Sequence, residues 1–85
     1  MNKDKTYIIL TKSENYYFQD SINIYQLLYS YYVYLNGKSP VFEKMCLNPS
    51  IFTLSELIDY INRSTYDYDN KIAKIYELGE QIYGE

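Results

Sequence analysis

Any chemistry in this chain falls to phenols and carboxylates. The sequence holds thirteen tyrosines and eleven Asp and Glu residues, against one cysteine and no histidine. Without histidine, the commonest general base and metal ligand is missing. Cys46 has no histidine to activate it and sits in an apolar run, so it reads as a small hydrophobe rather than a nucleophile. Carboxylates such as Glu43 and Glu56 have no spacing that sets two of them around a substrate. TYDYDN at 65–70 is faintly like a calcium loop, but it lacks the regular oxygen spacing, the sharp-turn glycine and the terminal glutamate. The expectation is a chain without catalysis, cofactor or metal.

Tyrosine and carboxylate are better suited to contact. Tyrosine offers large contact area with few rotamers to freeze, plus a hydroxyl. Tyr25, Tyr29 and Tyr32 recur at i, i+4 and i+7, which makes one stripe on a helix. That stripe is either a partner-binding face or a surface covered by the chain's own hairpin or last helix. Asp59, Asp67 and Asp69 lie near Tyr60, Tyr66 and Tyr68. They either face a basic groove or form a solvated linker before an acidic helix start. The candidate partner-binding residues are therefore Tyr25, Tyr29, Tyr32, Asp59, Tyr66, Asp67, Tyr68 and Asp69. A third use of tyrosine, stacking on unpaired bases, needs a basic groove that only Lys3, Lys5 and Lys12 could supply.

Composition narrows the partners. The formal net charge is −3 with the basic residues scattered, which argues against duplex nucleic acid. One cysteine cannot form an internal disulfide and suits a reducing cytoplasm. The four-residue apolar run near the N-terminus is too short for a signal peptide, and 22–35 is too short and too tyrosine-rich to span a membrane. Asn62-Arg63-Ser64 matches a glycosylation sequon, which matters only in a secreted protein. By type rather than by motif, a small, acidic, tyrosine-rich chain without catalytic groups resembles accessory proteins of phages and mobile elements. Several of those are anti-defence inhibitors, the anti-CRISPR type among them, that occupy the nucleic-acid groove of a host nuclease.

The elements that position these residues follow from periodicity. Residues 6–10 and 16–18 are β-rich runs around a polar turn and read as a hairpin. A lone hairpin is marginal in water, so it must pack on a helix or gain a third strand. Asp20 or Ser21 can cap a helix over 21–36, in which Ile24, Leu27, Leu28, Tyr31 and Leu35 form a core stripe. Gly37 and Pro40 close it. A competing reading ends that helix near Leu28 and turns 29–35 back through Asn36-Gly37 onto 41–47 as a hairpin. Residues 41–47 read as a third strand or an irregular connection. Thr53 and Glu56 form a capping box, with a helix over 54–63. Tyr68, Ile72, Ile75, Gly79 and Ile82 have a/d-like spacing and predict a last helix over 69–83.

The 85 residues thus predict one α+β domain over 1–85, with an N-terminal antiparallel hairpin of two or three strands and three helices. At this size only about 60% of the unfolded surface is buried. The functional expectation is a cytoplasmic protein-interaction module, of phage-inhibitor type, with a larger and basic partner. The alternatives are a homo-oligomeric structural or regulatory protein and a weak single-strand binder.

Overall fold

The two β-rich runs near the N-terminus pair as expected. In the computed structural model, which describes residues 5–77 and 80–84, β1 (Lys5–Thr11) and β2 (Tyr16–Ile22) are antiparallel. Ile8 lies opposite Phe18, Ile9 opposite Tyr17 and Leu10 opposite Tyr16. The turn between them closes on Thr11, whose N–H donates to Asn15 O at 2.9 Å and whose hydroxyl accepts the Asn15 N–H at 3.0 Å.

β2 runs on to Ile22, so the first helix starts later than 21. α1 spans Ile24–Asn36 and is capped by Asn23 rather than Asp20 or Ser21. Asn23 Oδ1 accepts the Gln26 N–H at 2.9 Å, and Gln26 Oε1 accepts the Asn23 N–H at 3.3 Å. This reciprocal pair satisfies two amides that a helix start leaves free. Residues 29–35 are helical, and the hairpin alternative is not adopted. Gly37 takes φ 86° and donates to Val33 O at 2.9 Å, ending the helix in a conformation that favours glycine.

Residues 41–47 are neither strand nor irregular. α2 spans Pro40–Cys46, with the Ser39 hydroxyl accepting the Phe42 N–H at 3.1 Å. Proline at the first helical position costs no hydrogen bond, and its fixed φ is helical already. Phe42 and Cys46, one turn apart, are buried. α3 spans Leu54–Ser64, and the Thr53–Glu56 capping box forms at 3.1 and 2.8 Å.

The expected last helix over 69–83 is a correction. Residues Tyr68–Asn70 make a single 3-10 turn, then β3 (Ile72–Glu77) and β4 (Glu80–Tyr83) follow as antiparallel strands. The sheet order is β2-β1-β3-β4, which makes the N-terminal strand central. The helical reading rested on the a/d-like spacing of Tyr68, Ile72, Ile75, Gly79 and Ile82, with Ile72 and Ile75 three apart. In the sheet both side chains reach the core because β3 carries an irregularity between them. Thr11 lies opposite Ile72 and Leu10 opposite Lys74, so Ala73 is an extra residue. A bulge turns the period-2 pattern into an i, i+3 spacing that imitates a helix. Gly79, another member of that stripe, lies outside the described residues.

The core sits between one face of the sheet and the three helices. Ile9, Ile72 and Ile75 meet Leu27, Leu28, Tyr31 and Tyr32 of α1, Phe42 and Cys46 of α2, and Leu57, Ile58 and Ile61 of α3. Ile24 and Leu35, the ends of the expected α1 core stripe, are partly buried against it. The Tyr31 hydroxyl donates to Asn70 O at 2.6 Å and so ties α1 to the 3-10 turn. Burial, with the neighbouring phenols of Tyr34 and Tyr17, pushes Tyr31 up to about 12. The folded protein therefore holds this proton more tightly than the unfolded chain, whose phenol titrates near 10.0. The contribution is intact below pH 10 and is lost as pH rises toward 12. Urea midpoints measured across this range should fall with pH in the parent and fall less steeply in Tyr31→Phe. Parallel curves would refute this assignment.

Candidate functional site

Strand alternation decides what the sheet shows to the outside. With Ile9, Tyr17 and Ile75 turned to the core, their neighbours must point the other way. Ile8 then lies in a row between Phe18 and Tyr76, and Leu10 in a row between Tyr16 and Lys74. Gln81, opposite Tyr76, continues the first row onto β4. Phe18 is 55% exposed and Tyr16 is 67% exposed. Ile8, Leu10 and Tyr76 are partly buried, yet none belongs to the core or packs on it. Cross-strand aromatic and aliphatic neighbours cover one another in part, which accounts for their partial burial.

An antiparallel sheet with helices on one side ordinarily turns a polar face to water. Here three strands present two phenol rings, a phenyl ring and two aliphatic side chains, with Lys74 the cation among them. The signal was present in the sequence: residues 7–10 are apolar at both parities, which a strand with one wet face does not need.

The turn at 66–69 lies at the β1–β2-turn end of the sheet. Tyr66 is fully exposed, Tyr68 is 62% exposed, and Asp67 and Asp69 are exposed. The Asp67 carboxylate accepts the Asp69 N–H at 3.0 Å, which caps the 3-10 turn rather than a helix. The turn is fastened to the β1–β2 turn. Lys12 N–H donates to Lys71 O at 2.9 Å, and Ser13 donates to Asp69 O through its N–H at 3.3 Å and its hydroxyl at 3.1 Å. Lys12 Nζ sits 5.9 Å from the Tyr68 ring centre. The arrangement puts two tyrosines and two carboxylates at the end of the sheet where the β1–β2 turn leads into Tyr16. A dry centre with a polar rim is the usual anatomy of a protein-binding patch.

The other sequence candidates lie elsewhere. Tyr32 is buried, 4.8 Å from the Phe42 ring and 5.9 Å from Tyr60, so its ring faces the core. Tyr25 and Tyr29 are partly buried on the same side, with Tyr29 stacked on Phe42 at 6.3 Å. Tyr29 and Tyr32 of the stripe pack against α2 and α3, not against the hairpin or a last helix, and Tyr25 is left only partly buried. Asp59 is on α3 and pairs with Arg63 at 2.8 Å, both well exposed. It does not join the 66–69 turn in any described contact.

No described residue activates Cys46 as a nucleophile. Burial pushes the Cys46 thiol up to about 12, so it is a thiol and not a thiolate at neutral pH. Among the described residues no group of His, Cys, Asp and Glu could hold a metal ion, and no helix is long and apolar enough to cross a membrane. Comparison with known proteins returns no matching family model, no matching curated protein and no matching solved structure.

Proposed function

We propose that the chain is a non-catalytic protein-binding domain that docks a larger partner on the open face of its sheet. The observation that carries this reading is the pair of apolar rows, Phe18–Ile8–Tyr76 and Tyr16–Leu10–Lys74, on the side away from every helix. Contiguous exposed apolar surface rimmed by polar residues is costly to leave in water and marks binding sites. The rim carboxylates Asp67 and Asp69, with a net charge of −3, favour a basic partner. A cytoplasmic nucleic-acid-handling protein has such a surface, and covering it would make the chain an inhibitor of the phage type. The same charge balance disfavours direct binding of single-stranded nucleic acid, despite the three rings.

The test compares two exposed apolar positions on opposite sides of the molecule. Phe18→Asp should weaken binding of the partner recovered from source cells by about tenfold or more. Ile51→Asp, at a site 67% exposed in the loop between α2 and α3, should leave it unchanged. Asp69→Lys should slow association at low salt and matter less at high salt. If Phe18→Asp binds like the parent while Ile51→Asp does not, the sheet face is the wrong surface. Sedimentation of the chain alone as a concentration-dependent dimer that Phe18→Asp abolishes would assign the face to a second copy instead.

A further inference from the structure

A second surface on the helical side has a different chemistry. A cleft of about 370 Å³ opens between the first turns of α1 and the end of α2. It lies within the size range of small-ligand sites. Tyr25 and Tyr29, one turn apart on α1, line it together with Glu43 and Leu47. The side-chain oxygens of its other polar lining groups, Asn23 and Gln26, are occupied by the α1 capping box. Glu43 is not: its carboxylate makes no hydrogen bond or ion pair with any described residue, and its side chain is exposed. Two phenol rings held partly buried, with an unpaired carboxylate on the same cleft, make a poor place for an anion. They make a favourable one for a cation with an apolar stem. Ring faces attract cations electrostatically, and the carboxylate adds a full opposite charge.

We infer that this cleft binds a compact organic monocation, with Tyr25 and Tyr29 contacting its alkyl groups and Glu43 balancing its charge. Two sources share that chemistry: a lysine side chain of a protein, or a free quaternary amine. The inference is independent of the sheet-face reading, because the cleft lies on the helical side and its occupancy is read without any partner.

The experiment is an amide-resonance titration of the full chain with choline, with N-acetyl-lysine methylamide and with 3,3-dimethyl-1-butanol, the neutral isostere of choline. At least one cation should shift the amides of Tyr25, Tyr29 and Leu47 saturably. The tighter-binding cation identifies the source. Glu43→Gln should weaken that binding by about threefold, the scale of an exposed charge pair. Tyr25→Leu should weaken it further, and Tyr25→Phe should restore it. Unchanged dispersion of the remaining resonances shows that each variant is folded. The inference is overturned if neither cation moves those amides, if the neutral isostere binds as tightly as choline, or if Glu43→Gln and Tyr25→Leu both bind like the parent.

Discussion

Phe42→Ala is expected to lower the unfolding free energy by about 3–5 kcal/mol, the range for deleting a fully buried aromatic side chain. Phe42 is 0% exposed and is the hub of the aromatic cluster. Its ring lies 4.8 Å from Tyr32, 5.2 Å from Tyr60 and 6.3 Å from Tyr29. Removing it leaves a void under α2 that three rings on two other helices cannot all collapse into. A chain of this size has a net stability of only about 4–13 kcal/mol. At the low end of that range the variant is unfolded at room temperature. With a urea slope of about 1–3 kcal/mol per molar, the midpoint should fall by more than a molar. Phe42→Leu keeps most of the volume and should remain folded with a smaller loss, so the measurement survives if the alanine variant does not. Val41→Ala, next in sequence but 60% exposed, should stay within about 0.5 kcal/mol of the parent. A Phe42→Ala loss under about 1 kcal/mol would mean that α2 does not cover the core.

That expectation turns on a helix the sequence did not announce. Pro40–Cys46 is seven residues long, under two turns, too short for a 3.6-residue period to stand out from a β-branched reading of VFEKMCL. The informative residues were the pair at its start, Ser39 as cap and Pro40 at the first helical position, a local signal that works without periodicity. Two local signals held, although the Asp20 or Ser21 cap, equally local, gave way to Asn23. Thr53 and Glu56 fix the start of α3 by bonds between residues three apart, and no tertiary partner is needed to form them. Gly37 ends α1 for a reason contained in its own backbone. The C-terminal third was misread because its pattern was made by a distant partner. Ile72 and Ile75 share a face only because β3 bulges against β1, some sixty residues earlier. The surface follows the same division. Exposure of Tyr66, Asp67, Tyr68 and Asp69 suits a polar turn in any fold. The covering of Tyr32 and the opening of Phe18 to solvent depend on where α2 and β3 dock, which spacing within either segment does not encode.

Asn62→Ala tests the contact that starts this misread strand, and it should cost about 2–3 kcal/mol. β4 reaches along β3 from Glu77 to Ile75 and makes no pair at Ile72. At that point the side-chain amide of Asn62 stands in for a strand. Its Oδ1 accepts the Ile72 N–H at 2.8 Å, and its Nδ2 donates to Ile72 O at 3.2 Å. Ile72 is 1% exposed, so deleting the amide orphans one donor and one acceptor beside the core. Each such group costs about 1–3 kcal/mol where water cannot replace the partner. Asn62 itself is partly exposed, so some water enters and the sum stays near the lower end. The same corner holds the end of α3. The Thr65 hydroxyl donates to Ile61 O at 2.7 Å, and Lys71 Nζ donates to Thr65 O at 2.8 Å and to Asn62 O. These bonds do not use the Asn62 side chain, so α3 should keep its length in the variant. Hydrogen exchange separates the two elements. The Ile72 amide should lose protection strongly relative to the Ile75 amide, while amides in the middle of α3 change only with global stability. Asn62→Asp keeps an acceptor for the Ile72 N–H and turns the donor into a second acceptor against Ile72 O. It should retain the Ile72 protection that alanine loses while remaining less stable than the parent. If both variants leave Ile72 as protected as before, backbone pairing with β1 alone holds the strand. The asparagine would then be a surface residue that also completes a sequon. If the pairing holds as drawn, that sequon is a poor acceptor in the folded chain, because the amide nitrogen a glycan would need is already committed to the sheet.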